Sequence, residues 1–114
     1  MPGTARRITL WTKKEILALF KSAKRFCYHP GIDIRVTTKK QPLGRLLIVT
    51  PKKMGNAPER NRVRRRLKAI FYENKLYDLG FDWLFFAKPG IADVPFSQLQ
   101  DFILNTCLPQ LPKL

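Results

Sequence analysis

The run NAPERNRVRRRLKAIF, residues 56 to 71, holds six cations between Arg60 and Lys68 and no acidic residue in that interval. By composition alone it reads as a solvated basic tail stranded in mid-chain. Its spacing says otherwise. Val63, Leu67, Ile70 and Phe71 recur at i, i+4, i+7 and i+8, the repeat of one helical face. Asn56 and Glu59 form a capping box, and Pro58 sits in the first turn, where its missing N–H is harmless. At about 100° per residue, Asn61, Arg65, Lys68 and Tyr72 fall opposite the apolar stripe, with Arg62 nearby. The spacing therefore predicts a helix starting after Asn56, anchored along one face and cationic elsewhere, with Gly80 as a stop beyond its last turn.

The rest of the chain supplies something for that helix to lie on. Thr12 and Glu15 make another capping box, followed by Ile16, Leu19, Phe20 and Ala23 on one stripe, which predicts a first helix over about 13 to 24. Ile32, Ile34 and Val36 alternate with Asp33, Arg35 and Thr37, the pattern of a half-buried strand. RLLIVT, 45 to 50, is an unbroken apolar run suited to a central strand, and Pro51 should end its ladder. DWLFFAK, 82 to 88, predicts a buried aromatic strand closed by Pro89-Gly90. A last helix is expected over about 95 to 107, with Phe96, Leu99, Phe102 and Ile103 inward, before a fraying tail over 108–114. With a basic arm over 1–11, the whole of 1–114 reads as a single α+β domain, a small central sheet covered by helices.

Composition narrows function. Twenty-two Lys and Arg against eight acidic residues leave +14, a self-repulsion that a polyanion would relieve. A solvated helix face mixes signs, whereas like charges at i and i+4 repel, so the cationic helix points to phosphates. Lys52 and Lys53 just before it add to the same footprint. Arginine dominates, and its planar fork suits phosphate oxygens and base faces. The N-terminal residues carry no signal-peptide pattern and no run reaches membrane-spanning length, so a cytoplasmic protein without a membrane is expected. Cys27 and Cys107 read as buried reduced thiols.

Enzymatic chemistry by the chain's own side chains finds little support. His29, the lone histidine, stands beside Pro30-Gly31 with no partner motif, and there is no phosphate loop or metal-ligand spacing. No catalytic and no metal residue is assigned. Trp83, Phe85 and Phe86 read as core. Phe20, Phe26 and Tyr28 fit either core packing or a stacking platform for single-stranded nucleic acid.

Three blocks in order resemble the bacterial ribonuclease P protein subunit: LFKSAKRF (19–26), similar to that family's first helix, PKKMGNAPERNRVRRRLKAIF (51–71), and DWLFFAKPG (82–90). The resemblance implies an αβββαβα fold with a left-handed βαβ crossover around the basic helix, although such crossovers are nearly always right-handed. It implies a protein subunit of a ribonucleoprotein endoribonuclease that binds the ribonuclease P RNA and precursor tRNA, assisting removal of the 5′ leader. The RNA would carry the chemistry with its Mg²⁺, and no cofactor would be bound stably by the protein. By the family's pattern Lys52, Lys53, Arg60, Asn61, Arg62 and Arg65, with Arg66 and Lys68 on the same helix, would meet RNA. Ile16, Phe20, Ile34 and Arg35 would line a cleft for the leader. The chain departs from the family where Ile16 replaces a common Phe, Ala23 a Gly, Pro51 a Ser, and Pro58-Glu59 apolar residues. The alternatives are an RNA-binding module or chaperone unrelated to tRNA processing, and a DNA-binding protein, which lacks the companion helix of a helix-turn-helix.

Overall fold

The computed structural model describes residues 11–112, so the basic arm lies outside the described residues except for Trp11, as do Lys113 and Leu114. Within them run helix α1 (Lys13–Ser22), strands β1 (Lys24–His29), β2 (Ile32–Thr38) and β3 (Leu46–Val49), helix α2 (Ala57–Glu73), strand β4 (Phe81–Ala87) and helix α3 (Phe96–Asp101). This is the expected αβββαβα order. The sheet order is β1-β2-β4-β3, with β3 and β4 parallel and the other pairs antiparallel. The strand made last is therefore central.

Strand alternation divides the molecule into two layers. Ile32, Ile34 and Val36 pair with Ala87, Phe85 and Trp83, and Leu46 also pairs with Trp83. These side chains form the main core with Val63, Leu67, Ile70 and Phe71 of α2 and Leu99, Ile103 and Cys107 from the C-terminal helix. Phe71 meets Trp83 and Phe85 edge to face, with ring centroids at 6.0 and 6.3 Å. On the opposite face, Leu84 is covered by Leu19 and Ala23 of α1, with Leu47 and Val49 beside them.

Several expectations change. Helix α1 stops at Ser22 because Ala23 turns extended, and Lys24–His29 is a strand; the block resembling one helix is thus helix and strand. A bulge between Arg25 and Cys27 hides that strand's alternation, since Phe26 packs on Trp83 while its neighbour Cys27 is also in the core. β3 is an edge strand, not a central one. Its unbroken apolar run reflects cover on both faces: Leu46 and Ile48 pack in the main core, Leu47 and Val49 under α1. The tail does not fray at once. Beyond Asp101 the last helix widens, with Leu108 N–H donating to Ile103 O, and a 3₁₀ turn follows over Leu108–Gln110.

Helix α2 begins as its capping box requires, Asn56 and Glu59 bonding each other's amides at 2.9 Å. It ends at Glu73, before Gly80, because Lys75 takes the left-handed conformation at φ 53°. Gly44 is needed for a different reason: a Cβ there would lie 1.9 Å from Phe81 O, where the chain enters β3 against the start of β4. Cys27 and Cys107 are free and buried, the Cys107 thiol donating to Cys27 Sγ at 2.7 Å. Burial, reinforced by that neighbour, pushes the Cys107 thiol well above its ordinary range and suppresses thiolate chemistry.

One polar device joins the layers. Arg45, 3% exposed, reaches Glu15 Oε2 at 2.7 Å and Asp82 Oδ2 at 3.9 Å, while its own N–H donates to Asp82 Oδ1 at 2.8 Å. Its guanidinium lies 4.0 Å from the centre of the Trp11 ring, and the Trp11 indole donates to Leu46 O at 2.8 Å. The two acids respond oppositely. Hydrogen bonds from Thr12 and Arg45 hold Glu15 below the usual carboxylate range, whereas burial lifts Asp82 above it despite the Arg45 bonds.

Two outcomes are expected. Phe71→Ala should destabilise the fold by about 3–5 kcal/mol in chemical denaturation, since the ring is fully buried among aromatic partners. Because Glu15 is depressed in the folded state, its contribution is present above the unfolded carboxylate value and lost as pH falls below about 4. Glu15→Gln should therefore flatten the acid side of a Tm-versus-pH curve; superimposable acid limbs would contradict the Glu15 linkage.

Candidate nucleic-acid interface

The burial of α2 fixes which of its cations face outward. Val63, Leu67, Ile70 and Phe71 are at most 2% exposed. Burying each is worth about 1.5–3 kcal/mol, against about 0.2–0.5 kcal/mol for each like-charge pair such as Arg60–Arg64, Arg62–Arg66 or Arg64–Lys68. The anchor wins, and the repulsion stays in the surface as a standing demand for anions.

The predicted residues then sort by exposure. Asn61, Arg62, Arg65 and Lys68 are exposed along α2, while Arg60 and Arg66 are half-buried beside the apolar stripe. Lys52 and Lys53 are exposed on a 3₁₀ turn, Lys52–Met54, pinned by buried Met54. Arg60 Nη1 donates to Gly55 O at 3.0 Å, so this arginine braces the joint between the lysine turn and the helix. From Lys52 to Lys68 there are eight cations and one acid, a net +7 out of the chain's +14. That acid, Glu59, is occupied in the cap. Half the net charge thus lies on a seventeen-residue stretch, where a phosphate backbone would meet it as one surface.

Sequence reasoning passed over Arg64. Its Nη1 donates to Asn61 Oδ1 at 3.2 Å, and its Nη2 to Thr50 Oγ1 at the end of β3. It shares a shallow groove with Asn61, Arg65 and Lys68. Its position at i+1 from Val63, beside the buried stripe, concealed it; the lack of any acid nearby was the available signal.

The α1 side holds a second set. Phe20 is 43% exposed although it continues the stripe of Leu19 and Ala23, and Ile16 is half-buried next to it. Arg35 lies on the same side of the sheet, paired with Leu84, on which Leu19 and Ala23 pack. Phe86, two residues along β4 and on the same face, stays partly open. Ile34 does not belong with them. It is fully buried, paired with Phe85 on the opposite face, because adjacent strand residues point to opposite sides of a sheet. Next to Arg35, Asp33 is 8% exposed and paired with Lys88 Nζ at 3.2 Å and Arg25 Nη1 at 3.7 Å. Its charge is therefore offset by those two cations.

His29 gains no catalytic partner: its Nδ1 accepts from Gly31 N–H at 3.0 Å and its ring leans on Phe102. Among the described residues no three His, Cys, Asp or Glu side chains group as a metal site. No helix among them is long and apolar enough to cross a membrane.

Comparison with known proteins gives a consistent result. A family model described as Ribonuclease P matches residues 4–109. The ribonuclease P protein component of Finegoldia magna is 29% identical over 103 residues, spanning 90% of this chain and 89% of that protein. That of a Roseiflexus species is 35% identical over 74 residues, 61% of this chain and 59% of its own. Among solved structures, the RNase P protein from Thermotoga maritima aligns at a TM-score of 0.73 with 25% identity, covering 85% of this chain and 92% of that one. The Staphylococcus aureus RNase P protein aligns at 0.71 with 22% identity, covering 82% and 86%, and supports the fold.

The charge footprint sets a measurable expectation. Log affinity for RNA should fall linearly with log salt, by roughly 0.7–0.9 per phosphate neutralised, and Arg65→Ala should reduce that slope by about one unit. A slope near zero for both proteins in a salt titration would contradict phosphate-driven binding.

Proposed function

The chain belongs to the ribonuclease P protein family, the protein component of a ribonucleoprotein endoribonuclease, and we propose that its α2 face binds the catalytic RNA while the α1 cleft takes the 5′ leader of precursor tRNA. The observation that carries the first half is the net +7 between Lys52 and Lys68, displayed by a helix whose other face is buried. Family membership removes the reading of an RNA-binding module unrelated to tRNA processing.

The division of labour follows from what the side chains can do. Lys52, Lys53, Asn61, Arg62, Arg65 and Lys68 offer donors to phosphate oxygens, with Arg60 and Arg66 at the margin. The carboxylates of Glu15, Asp33 and Asp82 are each paired with a cation, and among the described residues no three His, Cys, Asp or Glu side chains group as a metal site. In this reading the RNA holds the Mg²⁺ that the cleavage requires. The protein's part is to hold and orient: cations neutralise RNA strands brought close together, and Phe20, Ile16 and Arg35 offer a ring, an apolar edge and a charge to a short unpaired strand. A cytoplasmic location fits these partners.

Reconstitution tests the assignment. The purified chain, added to a bacterial ribonuclease P RNA at low Mg²⁺, should stimulate cleavage of precursor tRNA, and no stimulation would sink it. Within that assay Phe20→Ala separates a cleft from a core residue. The partly exposed ring predicts a Tm near wild type, precursor binding weaker by about 1–3 kcal/mol, and unchanged binding of mature tRNA. Equal weakening of both RNAs would take the leader away from Phe20.

A further inference from the structure

Trp11 forms a wall of two separate cavities. On one side it meets Glu15, Arg45 and Asp82, where the Arg45 guanidinium lies 4.0 Å from its ring centre. On the other it borders a cleft of about 150 Å³ between the β3 edge and α2, lined by Leu46, Leu47, Ile48, Arg64 and Lys68. The indole is held in place by its N–H bond to Leu46 O at 2.8 Å. A fixed aromatic ring, aliphatic walls and two cations are the parts of a stacking site for a base with its phosphate. The volume is of the order that accepts a benzene-sized ring. Arg64 and Lys68 also line the groove along α2, so the cleft continues the cationic surface rather than standing apart from it. Arg64 is already oriented by Asn61 and Thr50, so less of its freedom is lost on binding.

We propose that this cleft receives one unpaired base of the RNA bound along α2, stacked on Trp11, with the adjoining phosphate held by Arg64 and Lys68. The proposal rests on the reading of α2 as an RNA-binding face, and it adds a preference that α2 alone would not have: single strand over duplex.

Tryptophan emission gives a direct readout. The chain has two tryptophans and Trp83 is fully buried, so a contact quenching on binding reports Trp11. The probes are a ten-nucleotide oligoadenosine RNA and an RNA duplex of equal length, with binding followed separately by anisotropy of an end label. The single strand should quench the emission and the duplex should not. Trp11→Leu should weaken the single strand about tenfold and leave the duplex within about twofold, while Trp11→Phe, which keeps a ring, should stay within about threefold of wild type. Because Trp11 also packs on Arg45, Tm is measured for each variant; if the Leu variant melts early, the wild-type emission and the Phe variant decide the matter. Bound single strand with unchanged emission, or equal quenching by both RNAs, would overturn the stacking site and leave the α2 reading standing. If neither RNA binds at all, both readings are overturned.

Discussion

A single buried guanidinium ties α1 to the sheet. Arg45 leaves the edge of the sheet, bonds Glu15 on α1 and Asp82 on the central strand, and carries the Trp11 ring against its face. Taking a charge out of water is costly, and removing a partner would leave the buried guanidinium stranded. The arrangement therefore tolerates little drift. It ties the start of α1 to the sheet beside β3. Apolar packing adds to it, Leu19 and Ala23 on Leu84 with Trp11, Leu47 and Val49 against them.

The opposite layer is organised the other way round. Around Phe71 and Trp83 the aromatic core is dense enough to carry a helix whose outward face repels itself. Stability and function draw on opposite sides of the same seventeen residues of α2. The buried stripe supplies free energy, and the exposed face carries like charges that repel one another. That one buried donor, the Trp83 indole N–H, has no hydrogen-bond partner among the described residues is tolerable where rings surround it edge to face.

How much of this could be read in advance depended on whether a signal was local. Both capping boxes and the stripe Val63-Leu67-Ile70-Phe71 are local and were legible, and the charge count alone pointed to a polyanionic partner. What escaped was set by tertiary context. The bulge at Phe26 scrambled the alternation of β1, and cover on both faces made the edge strand β3 look central. Of the residues expected to line a leader cleft, Arg35 lies on the α1 side of the sheet while Ile34 faces away, which alternation along β2 already implied. Arg64 and the cleft behind Trp11 needed coordinates, since they join residues 11, 46 to 48 and 64 to 68.

The strand order has a temporal meaning as well. β4 occupies the centre of the sheet, yet it is the last strand to be made. Until residue 87 exists, β1 and β2 are a lone hairpin and β3 has no neighbour, while α2 is already complete with its apolar face uncovered. Closing the sheet means joining β3 to β4 across the whole of α2, a non-local step that delays folding relative to a run of hairpins. On the ribosome, the cationic helix thus emerges before β4, and the main core is complete only after Leu99, Ile103 and Cys107 have followed.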